Sequence, residues 1–328
     1  MNRKLLIAGF IGAIFPMLSG VALAAPLAIL TDVGGSVQVV HEGAVRAGTN
    51  GMQLQAGDVV RVRQGGATLY YMTHAPQHLG GGQQVKVGAL GAAAAPSVWR
   101  DVYTGVAQGF ARRYDNTPAT TRPGKAEAIM PVNTLVFEAR PAFGWTFSGG
   151  VDAKIFKDHE LTVKDAKGAL TWRGDVTEMC AVYPADAPGL QAGQRYFWSV
   201  TPRQASDLGD MELENEQASN PVWFEIADAA TTAAAETATA RLTADLKSEP
   251  AATRNLAIAA NLAQRGFTGA AIAMLTPDVS TEAIKGNEFQ KAMHTQLGKL
   301  DETSRVLLRS FYLQSGQQGM LDKMADIK

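Results

Sequence analysis

Five histidines and one cysteine are the most reactive side chains among the 328 residues, and their spacing limits the chemistry they can share. His74 and His78 flank Ala75-Pro76-Gln77 after an apolar strand. If those three residues form a hairpin loop, the two rings oppose each other across the strand pair, close enough to share a metal ion. A third ligand would have to come from His41 or a carboxylate such as Glu42, and no spacing fixes either. The pair therefore reads as two solvated loop residues. His74 and His78 remain the candidates for metal, but no metal and no cofactor are expected. His159 lies in the charged stretch Lys157-Asp158-His159-Glu160, which reads as a turn, and His294 lies on a polar helix. Neither has a serine nearby in a strand–turn–helix context, so no hydrolase nucleophile is expected. Gly80-Gly81-Gly82 lacks the lysine and helix of a phosphate loop, and Gly149-Gly150 precedes charged sequence; both read as turns. The acidic run Asp207–Glu216 lacks the tight loop spacing of a calcium site and reads as a solvated loop.

The elements that must position these residues are bounded by size and charge. At 34.8 kDa the chain is long enough for two or three domains. Thirty basic side chains against 31 acidic ones give a net charge of −1, with no global field for nucleic acid or an anionic membrane. At the start, Asn2-Arg3-Lys4 precedes an apolar run from Leu5 to Phe15, and Ala22-Leu23-Ala24 offers the small residues a signal peptidase reads. Residues 1–24 are thus expected to be a signal peptide cleaved before Ala25. The run is shorter than the roughly 20 residues of a membrane span, and Pro16 and Gly20 interrupt it. No cysteine follows the cleavage position, so an N-terminal lipid anchor is not expected. The mature protein is then soluble and periplasmic, with no later membrane span and a net charge of −3 after two positive residues are removed. In that oxidising space the single Cys180 reads as a small buried hydrophobe.

From Ala28 to about Leu90 the chain reads as short strands. They include Val37–Val40, Val59–Arg63, Ala67–Met72 and Gln84–Val87, with turns at Gly43, Gly48, Gly51, Gly57-Asp58 and Gly65-Gly66. The segments Gly35-Ser36-Val37-Gln38-Val39, Leu54-Gln55-Ala56-Gly57-Asp58-Val59-Val60 and Gly65-Gly66-Ala67-Thr68-Leu69 resemble the FecR-type periplasmic β domain. That family closes with an Asp-Gly turn, where this chain has His74-Ala75-Pro76-Gln77-His78. The resemblance implies a solenoid-like or sandwich-like interaction module over residues 28–95. A helix and linker are expected over 96–128, with Ser97 as its cap. Val98, Trp99, Val102, Tyr103, Val106 and Phe110 form one stripe, and Asn116–Lys125 is the linker.

Strand signals resume over residues 130–228, where Trp145, Trp172, Trp198 and Trp223 lie. Phe143 with Trp145, and Tyr196 with Trp198, alternate as core pairs of an antiparallel β-sandwich. The segments Arg140–Trp145, Tyr183-Pro184 and Leu190–Val200 are similar to fibronectin type III-like or immunoglobulin-like domains of bacterial envelope proteins. The specific part is the run Leu190, Gly193, Tyr196, Trp198 and Val200. A sugar-stacking platform is the functional alternative for these aromatics, and core packing is the preferred reading.

Residues 229–328 read as helices, with an alanine-rich one over Thr231–Lys247 and a break at Pro250. Leu256–Gly266 and Val306–Gly316 align at an offset of fifty, each running into a further apolar helix. Leu256–Leu275 resembles half of a tetratricopeptide repeat; packed amphipathic α-hairpins are the expectation. The fold class is thus multidomain and mainly β, with a FecR-like β domain, a β-sandwich and an α-helical C-terminal region. The function expected is that of an exported, non-catalytic envelope protein. It would act as an interaction, scaffold or signalling-accessory module, with an envelope protein as partner or a glycan as the other choice. The alternative is a periplasmic carbohydrate-active hydrolase with an Asp/Glu site that no motif betrays.

Overall fold

The computed structural model describes residues 26–88, 97–111, 124–148, 156–204, 217–277 and 289–325. The expected signal peptide, the Ala92–Ala95 run, most of the expected linker, Gly149-Gly150 and the acidic run lie outside the described residues. The chain is mainly β up to Ile226 and helical after it, as the sequence leads one to expect.

Six strands build the first sheet: β1 (Ala28–His41), β2 (Ala44–Ala47), β3 (Met52–Leu54), β4 (Val59–Tyr71), β5 (Gln77–Gly80) and β6 (Gln84–Lys86). The order is β2-β1-β4-β5, with β3 also on β1 and β6 also on β4. Gly65-Gly66 is not a turn, and the two strands expected on either side of it are one strand, β4. The physical reason is non-local. Gly35 and Gly65 both hold positive φ angles and face one another across the β1–β4 ladder, where the register shifts. A Cβ on Gly65 would be driven into the Gly34 carbonyl oxygen, and one on Gly35 into that of Gln64. Only glycine allows this close bulge. The two halves of the long hairpin then close over one aliphatic core of Leu30, Val37, Val39, Leu54, Val60, Val62, Leu69 and Leu79.

The other face of this hairpin, through Ile29 and Tyr70, packs on α1 (Ser97–Ala111). The stripe Val98, Trp99, Val102, Tyr103 and Val106 is buried, and Phe110 is half-buried. The side chain of Ser97 lies outside the described residues. Gly105 and Gly109 let α1 cross the later helix 302–315 in close contact. A Cβ on Gly105 would lie 2.5 Å from Leu307 Cδ1, and one on Gly109 would meet Val306.

The sandwich follows, from β7 (Ala126–Met130), β8 (Thr134–Val136), β9 (Ala142–Phe147), β10 (Phe156–Asp165), β11 (Leu170–Val176), β12 (Cys180–Val182), β13 (Arg195–Gln204) and β14 (Val222–Ile226). One sheet runs β11-β10-β13-β14-β8, the other β12-β9-β7, and β8 lies parallel to β14. Phe143 sits 5.1 Å from Trp198 and 5.6 Å from Phe224, ring centre to ring centre. Trp198 is 1% exposed and donates its indole N–H to the Pro131 carbonyl at 2.7 Å. The Leu-x-x-Gly-x-x-Tyr signal also has a local cause. Gly193 turns at φ +74, and the Tyr196 hydroxyl accepts from Gln191 N at 2.9 Å, closing the turn onto the strand.

Six helices follow among the described residues: α2 (Ala229–Asp245), α3 (Ala251–Gln264), α4 (Thr268–Leu275), α5 (Phe289–Lys299), α6 (Glu302–Ser315) and α7 (Gln318–Ala325). The two segments at an offset of fifty are α3 and α6, and each ends at a left-handed glycine, Gly266 or Gly316. One sandwich segment holds both turns. Leu135 N and the Thr134 hydroxyl donate to Gly266 O at 3.0 and 3.2 Å, while Asn133 Nδ2 donates to Ser315 O at 2.6 Å. A single core therefore continues from the sandwich through α1 to the helices. The first sheet is tied in at the start of α6, where Thr303 N and Oγ1 donate to the Asp32 carboxylate at 3.3 and 3.0 Å. Asp301 caps the same helix through Ser304 N at 2.7 Å. Two carboxylates thus face the positive end of one helix dipole.

Candidate functional site

The histidines do not converge. β5 pairs with β4 so that His78 opposes Thr68, not His74, and its Nδ1 lies 3.0 Å from the Thr68 hydroxyl. His74 sits before β5 with its ring 4.0 Å from that of Tyr71, and burial there pushes its pKa below the usual histidine value. The two rings are therefore not cross-strand partners: the return strand begins only at Gln77, and its register places His78 beside a threonine. His41 Nδ1 lies 2.5 Å from Asp58 Oδ1, and Glu42 is an exposed turn residue at φ +47. Asp58 also accepts from Gln55 N at 2.8 Å, while its own carbonyl accepts from Val87 N at 2.7 Å. The Leu-x-x-Gly-Asp signal is thus a turn closed by its own aspartate. Among the described residues, no three His, Cys, Asp or Glu side chains are grouped as for a metal ion.

His159 departs from its sequence reading. It is not in a charged turn but inside β10, 2% exposed, with the ring centre 5.4 Å from Trp145 and 5.7 Å from Phe147. Alternation along the strand explains this: Asp158 and Glu160 project outward, and the residue between them must project inward. Burial lowers its pKa to about 4, against a smaller opposing pull from Asp158. Cys180 is buried, as its sequence context suggests.

A cleft lies between α1, α2 and α3. It holds about 490 Å³ and is open to solvent. Ala233, Ala234, Thr237 and Ala238 of α2 form one wall, with Val98, Leu242 and Asn261 deeper and Arg241, Asp245 and Arg265 at the rim. These α2 positions recur at spacings of one, three and four, so one face of the helix lines the cleft. Small side chains leave it open where a leucine would fill it. Arg265 Nε donates to Asn261 Oδ1 at 3.0 Å, and Arg241 lies 3.4 Å from Asp245. Beside them, burial pushes the Asp101 carboxyl up, while the Asn261 hydrogen bond, Arg265 and Arg100 pull it back. The sequence reading missed this cleft. The only signal was the run of alanine and threonine on α2 where an amphipathic helix would carry large residues.

Of the aromatics weighed as a sugar platform, Phe143, Trp145, Tyr196 and Trp198 are core. Trp172 is half-buried, 5.8 Å from Tyr183, ring centre to ring centre. Phe197 and Trp223 pair in register on the outer face of the five-stranded sheet. The Arg195 guanidinium already covers the Trp223 ring at 4.1 Å and bonds Glu225 at 3.1 Å. No helix among the described residues is long and apolar enough to cross a membrane. No protein-family model matches this chain, and no curated protein matches it.

Proposed function

We propose that the protein is an exported, non-catalytic component of the cell envelope that works by presenting surfaces to a protein partner. The observation that carries this reading is the open cleft between α1, α2 and α3. Its lining is small apolar side chains and guanidinium groups, which bind, and the Asp245 carboxylate at its rim sits beside Arg241. The start of the sequence supports export, and the resemblances to FecR-type, fibronectin-like and tetratricopeptide-like modules support an interaction role. Fold likeness alone would be a weak warrant, since the same folds host enzymes. A glycan is the second reading, favoured by the Phe197–Trp223 pair; a sugar would have to displace Arg195 from the indole.

The test is cross-linked capture from the periplasm of the source organism, using the parent chain and Ala238→Trp, which fills the cleft. A stoichiometric partner lost in the variant, at unchanged melting temperature, is the expected result. Glycan hydrolysis abolished by Asp245→Asn would overturn the reading. Mass spectrometry of the mature chain should find Ala25 at its start; an intact Met1 would remove the export element.

A further inference from the structure

We propose that the end of the sandwich around His159 is an acid-operated latch, in which protonation of the imidazole releases the adjoining ends of β9 and β10 and uncovers Phe147 and Phe156. Phe147 and Phe156 stack at 4.4 Å, and His159 lies against both and against Trp145. A charged imidazolium donates from both nitrogens. Here Nδ1 is buried with no hydrogen-bond partner. Among the described residues, the elements packed around the ring offer it no side-chain acceptor. β9 brings Trp145 and Phe147, while the cross-strand neighbours are Pro202 on β13 and Val176 on β11. Asp158, adjacent on β10, favours the charge but lies on the other side of the strand, and burial outweighs it. Among the described residues, the other charges nearby, Glu160, Arg173, Asp175 and Arg203, are tied together on the outer face at 2.6–3.4 Å. With no acceptor for Nδ1 among the described residues, a proton on this ring is accommodated by moving the ring to water.

The same end of the sheet is the one built to yield. Pairing of β10 with β11 begins only at His159, so residues 156–158 are held by β13 alone, across a register shift between Phe156 and Asp158. Strand ends with one-sided pairing open at low free-energy cost. The sign follows from the lowered pKa. The closed form is favoured in full above the ordinary histidine value of 6.5 and loses ground as pH falls towards about 4. Each unit of pH over that interval favours the open form about tenfold.

Hydrogen exchange of the full chain at pH 7 and pH 4.5, corrected for the intrinsic pH dependence of exchange, tests this. Peptides over 143–148 and 156–161 should lose protection by on the order of 100-fold, while peptides over 59–63 of the first sheet hold theirs. His159→Phe, which keeps an aromatic ring in the cluster, should abolish the difference. Unchanged protection in the parent, equal loss in His159→Phe, or uniform loss along the whole chain would each overturn the latch. Should that variant not fold, the imidazole of the parent can be titrated by NMR, and a midpoint near 6.5 would equally refute it.

Discussion

The two β regions solve the same burial problem with opposite residues. The first sheet makes a core from one long hairpin, β1 with β4, by bending both strands at facing glycines and filling the fold with valine and leucine. The sandwich stacks two separate sheets, and the gap of about 10 Å between such layers is bridged by large rings. Phe143, Trp145, Trp198 and Phe224 do this, and His159 is enclosed by Trp145, Phe147 and Phe156. A bend is intolerant of any added atom but indifferent to side-chain chemistry. An aromatic core tolerates neither a missing ring nor an added charge. The first sheet also keeps its aliphatic core to itself, whereas the sandwich shares one with the helices.

The largest effect should come from Trp198→Ala, which removes a buried ring and strands the Pro131 carbonyl. It should cost about 3–5 kcal/mol, read by denaturant melts. Because the core is shared, helical signal should fall with the sandwich. If the helices melt as before while the sandwich unfolds, the contrast between a private and a shared core is wrong.

Gly65→Ala comes next, at about 2–3 kcal/mol, since it combines a positive φ with a collision at the Gly34 carbonyl. Its damage should stay in the first sheet, as seen by hydrogen exchange. Gly66→Ala is the control: its Cβ would meet only the Leu79 carbonyl, at 3.3 Å. Equal costs at the two positions would show that general strand propensity, not the bend, is responsible.

The smallest effect addresses how the first sheet is joined to the rest. Asp32→Asn keeps a side chain suited to φ +50 and an acceptor for Thr303, but removes the charge at the start of α6. A loss of about 0.5 kcal/mol, weakening with added salt, is expected. A gain in melting temperature at low salt would mean that the second carboxylate beside Asp301 repels more than it caps.

Much of this arrangement was legible in the residues. The α1 stripe, the pairs Phe143–Trp145 and Tyr196–Trp198, and the helices ending at Gly266 and Gly316 all follow from spacing within one element. Three features were not legible, and each depends on a partner far along the chain. Gly65-Gly66 reads as a turn because positive φ serves turns and bulges alike; only the facing Gly34-Gly35 makes it a bend. His159 sits between charged neighbours and reads as solvated, until β9 supplies the aromatic wall that buries it. The cleft needs α1 and α3 to close it, and the alanine face of α2 alone has no reason to be a lining.

The sequence by itself determined the succession of a strand-rich region, a tryptophan-bearing β region and a helical tail, because periodicity, turn residues and caps act over a few neighbouring positions. It also determined which residues could serve as core. Only the tertiary structure decided which faces met. It spent His41 on Asp58, set His78 opposite Thr68, enclosed His159 in an aromatic wall, and left open the cleft beside Arg241 and Arg265. The reason is physical: burial, and with it the protonation and reach of every polar group, is set by atoms that are close in space and distant in sequence.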